Sequence, residues 1–444
     1  MTERRSTFQS LRIRNYRYFW TGSLIANVGT WMNRIAQDWL VLTILTDNSA
    51  LALGIVTGLQ FLPIPILSPV AGALADRFSK RKILQLSQAA LMLNALVLSL
   101  LVSLDLAQLW HVYVLALVQG AVQAFDAPAR QSFVSEMVSE KNLPNAVGLN
   151  SMQFNSARLV GPGVAGLLIG WFGVAPALWI NTVSFLAPIV ALRMMRADEL
   201  HPARAGGSGR GAVMAGVRYL MGRGDLLLIF LMVFTLGTFG LNFQVTNALM
   251  ATEVFGLDAD AYGLLGSVMA VGTLTGAVLA ARRGYPRLGR LVLALLGFSV
   301  FTLLLTVVQS YWLYALLLVP TGFVAITTMT TANSRVQLTT EPEMRGRIMA
   351  LYMVVFLGGT PIGAPLVGWI GEHWGARATL FVGAATTGLV ALFVGLVLLA
   401  KSEKYPPPLH FLEVTRERVR RRRGGRPRAV HPTTSAPRLG RGTP

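Results

Sequence analysis

The sequence contains no cysteine. Disulfides, thiolate zinc sites, iron–sulfur clusters and cysteine nucleophiles are therefore excluded. Charge is also scarce, at 13% Asp, Glu, Lys and Arg, against roughly 25% in soluble proteins. No Asn-x-Ser/Thr sequon occurs, which gives no support to a glycosylated surface protein. The five histidines are scattered, and His111 and His373 need no catalytic reading. No metal-ligand cluster, nucleophile elbow or nucleotide motif stands in the chain, so neither an enzyme nor a cofactor is expected.

What is abundant is apolar sequence. Hydrophobic residues make up 53% of the 444, and the mean hydropathy is +0.54. Uncharged runs repeatedly reach about 20 residues, enough to cross roughly 30 Å of hydrocarbon. Twelve membrane-spanning helices are predicted, at 18–45, 51–75, 83–104, 109–127, 146–171, 175–194, 226–251, 261–281, 289–308, 312–333, 347–371 and 378–400.

The short connections alternate in charge. One set carries Arg4, Arg5, Arg12, Arg14 and Arg17, then Arg77, Lys80, Arg81 and Lys82, then Arg130 and Lys141. It continues through Arg204, Arg210, Arg218 and Arg223, then Arg282 and Arg283, then Arg335, Arg345 and Arg347. The other set holds Asp47, Asp105, Glu253, Asp258, Asp260 and Glu372, with Arg377 as its one clear base. The positive-inside rule then puts both termini in the cytoplasm. From Lys401 onward twelve Lys/Arg face three Asp/Glu. Such a tail is attracted to anionic headgroups, a simpler reading than nucleic-acid binding. The 34 Arg against five Lys point to a GC-rich bacterial genome, and so to a bacterial inner membrane.

The domain plan is a cytoplasmic segment 1–17, a six-helix bundle 18–194, a central loop 195–225, a second six-helix bundle 226–400 and a basic tail 401–444. The run Ala205–Gly211 lacks the lysine and preceding strand of a phosphate loop, and reads as a flexible linker. The halves echo each other. Gly161, Gly166 and Gly173 recur as Gly363, Gly368 and Gly375, each 202 residues later. Repeats of this kind build many secondary transporters, with the site at the repeat interface near the midplane.

The stretch Gly72-Ala73-Leu74-Ala75-Asp76-Arg77-Phe78-Ser79-Lys80-Arg81-Lys82 resembles the signature loop of the major facilitator superfamily, with Ser79 in place of its second glycine. Gln37–Leu42, Asp126–Gln131 and Arg345–Leu351 resemble the bacterial exporter branch that includes the enterobactin exporter, the transmembrane secretion effector type. The run Arg158–Gly166, with Gly161 and Pro162 inside it, is similar to the antiporter motif of drug exporters. One departure is Leu115–Gly120, which lacks the arginine that many proton-coupled members carry there.

The resemblance implies an all-α membrane protein, two pseudo-symmetric bundles around a central cavity. It also implies export of small amphipathic drug- or siderophore-like molecules by alternating access, with proton antiport. A proton-coupled uptake symporter or a lipid flippase are the alternatives. Expected partners are a small-molecule substrate, protons and membrane lipids, with no nucleic acid, and the expected state is a monomer.

Polar groups inside a bilayer are costly and mark function. Arg34 and Asp38 stand at i,i+4 on the first helix and can pair; Asn27 and Gln37 lie on or beside that face. Gln119 and Gln123 in the fourth helix, Arg158 in the fifth, and Asn242 and Asn247 in the seventh complete the candidate substrate and proton pathway. Gly72, Asp76, Arg77, Lys80, Arg81, Asp126, Arg130, Arg345 and Arg347 form the candidate gate. The resemblance implies that Asp76 faces the start of the eleventh helix. Gly161, Pro162 and Gly166 are the helix-packing motif, and Gly54/Gly58 and Gly272/Gly276 are small-residue pairs that bring helices close.

Overall fold

The computed structural model describes residues 8–201, 212–281 and 287–404, without the side chains at 69, 73, 76, 212, 213, 281 and 401–404. Arg4, Arg5, Arg204, Arg210, Arg282, Arg283, the Asp76 side chain, the glycine-rich run and the basic tail lie outside the described residues. The chain up to Val394 makes one compact unit, and Gly395–Pro444 make a second.

Among the described residues every regular element is helical. The order is α1 Arg14–Trp39, α2 Ala50–Phe61, α3 Pro63–Arg77, α4 Lys80–Ser103, α5 Leu109–Met137, α6 Leu143–Phe172, α7 Val174–Ser184, α8 Leu186–Met194, α9 Ala212–Met221, α10 Gly224–Thr235, α11 Phe243–Leu249, α12 Ala259–Ala281, α13 Leu288–Val307, α14 Tyr311–Thr339, α15 Pro342–Gly358, α16 Thr360–Trp374 and α17 Ala376–Lys404. A bilayer forces this choice, because backbone groups there must be satisfied within the segment. Leu86, Leu93 and Val97 on α4 are exposed, as lipid-facing side chains should be.

Ten stretches among the described residues are long and apolar enough to cross a membrane. Two further helices have the length but not the hydropathy: α1 with 26 residues and α6 with 30. These two helices carry Arg34, Asp38 and Arg158. Their polarity is the reason they miss the threshold.

Prolines break the long spans. The stretch Ala50–Arg77 divides at Leu62 before Pro63, and Pro342–Trp374 divides at Gly359, two residues before Pro361. Proline removes a helical donor and clashes with the preceding turn. The central loop is not wholly linker, since it contains the helix α9. Gly216 of α9 packs against Leu351 and Arg347 of α15.

The repeat is visible in the packing. Gly173 and Gly375, 202 residues apart, end α6 and α16 with φ of 77° and 81°, a conformation that glycine adopts without strain. A Cβ on Gly161 would strike Trp31 of α1, and one on Gly363 would strike Thr238, the corresponding place in the second half. Gly166 abuts Ala259 and Asp260 at the start of α12, and Gly368 abuts Ala50 and Leu51 at the start of α2. Two equivalent seams, α6–α12 and α2–α16, thus join the halves.

Both seams are tight at the end that carries Asp38, whereas toward the end that carries Lys80 several glycines of the same spans face open space. Gly54 and Gly58 touch α16 at Ala364 and Pro365, whereas Gly72, Gly148 and Gly346 meet nothing within 4 Å. A cysteine-free chain allows a direct check. The Cβ positions of Gly163 and Ser267 lie 3.9 Å apart across the α6–α12 seam, within the range of a disulfide. Gly163→Cys/Ser267→Cys should cross-link under mild oxidation, read as a band shift reversed by reductant. Gly72→Cys/Gly346→Cys, toward the Lys80 end of the second seam, should not.

Candidate functional site

Between the halves lies a cavity of ≈ 240 Å³. From the first half, Trp31, Arg34 and Ile35 of α1 and Arg158 and Pro162 of α6 reach it; from the second, Phe243, Gln244 and Asn247 of α11, residues of α12 including Tyr262 and Met269, and Ala325 to Met329 of α14. Tyr314 donates to Asn247 Oδ1 at 2.9 Å, fixing that amide. Gly161 lets α6 settle on the Trp31 backbone side, and Phe154 stands edge-on to the Trp31 ring at 5.8 Å.

Asp38 is fully buried at the tight end of the cavity. The two oxygens are held from the other half. Gln244 Nε2 donates to Oδ1 at 2.8 Å and the Tyr262 hydroxyl to Oδ2 at 2.8 Å. The expected Arg34–Asp38 pair does not form among the described residues. Arg34 instead stands over the Trp31 and Phe61 rings at 5.2 and 5.6 Å. Arg158 approaches the same Trp31 ring at 5.6 Å. The two Asp38 oxygens take their hydrogen bonds from Gln244 and Tyr262 instead.

A second tie closes the same end. Glu372 of α16 accepts from Ser49 Oγ at 2.9 Å and from the Leu51 N–H at 3.0 Å. Ser49 caps α2, so the carboxylate sits where the helix dipole favours negative charge.

The other pathway candidates divide. Gln37, Gln119 and Gln123 do not reach the central cavity. They line a separate polar pocket of ≈ 30 Å³ inside the first half, with Thr30, Asn33, Asn94 and Asn181. Asn242 donates to the Thr238 carbonyl of its own helix at 2.7 Å, and neither it nor Asn27 lines the cavity.

At the Lys80 end the candidate gate residues of the first half bond within that half. Lys80 Nζ meets Glu136 at 2.6 Å, both buried. Arg81 donates to the carbonyls of Leu192 and Arg193 at 2.8 and 3.2 Å, at the end of α8, where cations satisfy free carbonyls. Arg130 holds Asp126 with two bonds, at 2.8 and 3.2 Å, and donates to Ser23 at 2.9 Å. Gln88 also donates to Asp126, at 2.8 Å. Arg77, Arg345 and Arg347 are exposed. Among the described residues none of these groups bonds to the opposite half.

Sequence reasoning missed Gln244, Tyr262, Glu136 and Gln88. Gln244 did carry a signal, since it follows Asp38 by 206 residues, close to the repeat interval. Glu136, Gln88 and Tyr262 had none.

A cavity walled by both halves of an internal repeat is the architecture of a secondary transporter, and the family model that the chain matches places it in the major facilitator superfamily. Its fold is similar to the inward-facing, occupied structure of a bacterial homologue of the human lysosomal transporter Spinster, with TM-score 0.68 and 14% identity over 88% of this chain and 99% of that one.

Within that superfamily the chain belongs to the Transmembrane secretion effector family, which it matches over residues 5–425. Similar relatives include the staphyloferrin A transporter of Staphylococcus aureus, 26% identical over 39% of this chain. The chain spans only 44% of that relative's length. The multidrug efflux pump Tap of Mycolicibacterium fortuitum is 26% identical over 84% of this chain and 93% of its own. The enterobactin exporter EntS of Escherichia coli is 24% identical over 74% and 78%.

The buried Lys80–Glu136 pair yields a stability test. Lys80→Met strands a buried carboxylate and should cost about 3–5 kcal/mol, whereas Lys80→Met/Glu136→Leu should recover most of the loss. Thermal unfolding of the detergent-purified protein reads both.

Proposed function

We propose that the protein is a secondary exporter of small amphipathic organic molecules, crossing a bacterial inner membrane twelve times with both termini in the cytoplasm. The observation that carries this reading is the cavity shut at the Asp38 end by groups from both halves, with open space beside Gly72, Gly148 and Gly346 at the Lys80 end. If the basic loops are cytoplasmic, the cavity admits cargo from inside. The named activities of the relatives, siderophore transport and multidrug efflux, agree with that direction.

Alternating access then requires the Asp38 seam to open. Parting the halves strips Asp38 of both donors, and a proton takes their place. Closing them returns the donors and displaces the proton on the other side. Asp38 is thereby the coupling group, with Glu372 a second tie that must release. The Lys80, Arg81 and Arg130 clusters keep the first half rigid while it rocks, and Asp76 and Arg77 of the first half meet the start of α15, with Arg345 and Arg347, when that end closes.

Inside-out vesicles containing the full chain test this. An inward-acidic gradient should drive accumulation of an amphipathic substrate such as a siderophore or an anionic dye. Asp38→Asn should reduce the gradient-driven part by at least about tenfold, the scale expected for losing one charged hydrogen-bonded group. Full gradient-driven activity in Asp38→Asn removes Asp38 from coupling.

A further inference from the structure

We propose that the central cavity selects organic anions, binding a negatively charged group between Arg34 and Arg158 against Trp31, with the apolar body of the molecule on the opposite wall. This deepens the export reading and rests on it for the identity of the cavity as the cargo site.

Two guanidinium groups reach one cavity and share one ring, at 5.2 and 5.6 Å from Trp31. Both side chains are partly exposed to it. Neither has a hydrogen bond or ion pair among the described residues. Each guanidinium offers five donors in a fixed fork. A cation inside a membrane protein needs a partner or a wet cavity, and contact with a ring face leaves those donors unfilled.

The local charge does not balance. Among the described residues no Asp or Glu lines the cavity. The neighbouring acid is Asp38, whose two oxygens are already taken by Gln244 and Tyr262. Two positive groups therefore face one engaged carboxylate. An incoming anion corrects the balance and fills the forks, and Arg matches the planar geometry of a carboxylate. A cationic molecule of the same size meets repulsion instead.

The opposite wall carries no charge and sets apolar surface beside the amides of Gln244 and Asn247 and the hydroxyls of Tyr262 and Thr273. Phe243, Met269, Ile326 and Met329 present aromatic, thioether and aliphatic surface from the second half. Met adapts to varied shapes. Cargo that bridges the two walls is charged at one end and apolar at the other. The charged end contacts the first half and the apolar end the second, so one molecule touches both bodies that must move.

The test compares two xanthene dyes of similar shape and opposite charge, carboxyfluorescein and rhodamine 6G. Their fluorescence anisotropy is titrated with the full chain in lipid nanodiscs. Carboxyfluorescein should bind at least about tenfold more tightly than rhodamine 6G. Arg34→Gln and Arg158→Gln should each weaken it by about tenfold or more, as expected for a charged hydrogen bond, and Arg34→Lys by less. Equal or tighter binding of rhodamine 6G, no binding of carboxyfluorescein, or wild-type affinity in both Gln variants overturns the proposal. The wild-type comparison needs no variant, so a Gln variant that fails to fold does not rescue it. Dye flux in proteoliposomes separates the two readings. Anion-selective binding without transport retires export and leaves the site, whereas transport without charge preference does the reverse.

Discussion

A carboxylate buried in a membrane protein must find donors, and Asp38 finds both of its donors on the other half of the chain. Tyr262 and Gln244 each reach it at 2.8 Å. That requirement ties α1 to α11 and α12. It closes one end of the cavity and leaves Arg34 free of its helix neighbour. Unpaired buried charge is costly enough that the closed end and a satisfied Asp38 are one condition. Glu372 repeats the device at lower depth of burial, using the start of α2 as its donor.

The seams on either side depend on something simpler, the absence of side chains. Gly54 and Gly368 on one seam and Gly166 and Gly263 on the other bring backbone against backbone. Close approach of this kind is how helices associate where there is no hydrophobic drive between them. The shared geometry of Gly173 and Gly375 shows that the halves conserve the turn as well as the contact. Repeat symmetry supplies two equivalent seams, and the Asp38 bonds cross between the halves beside them.

Much of this was legible in the sequence. Span lengths follow from hydrophobic runs, and the glycine repeat at 202 residues carries the plan of two related halves. The α1 and α6 helices were the most informative, because their polar residues depart from what lipid requires. The rest was not legible because rotation about a helix decides what a side chain meets. Adjacent residues differ by about 100° in direction. Gln37 therefore turns into the first half while Asp38 turns toward the second. Gln119 and Gln123 share a face, as expected, but that face looks inward within their own half. Lys80 reads as a loop charge and proves buried on Glu136, since nothing in local sequence records a partner 56 residues away.

The claim that Asp38 holds one end shut is open to a distance measurement. Asp105 and Gln309 lie in connections at that end, one in each half, and both are exposed. With no native cysteine, nitroxide labels at Asp105→Cys and Gln309→Cys report on the halves without background, by double electron–electron resonance. In the otherwise native chain a single short distance should dominate. Adding Asp38→Ala should transfer population to a longer distance. An unchanged distribution after loss of the carboxylate would contradict the account.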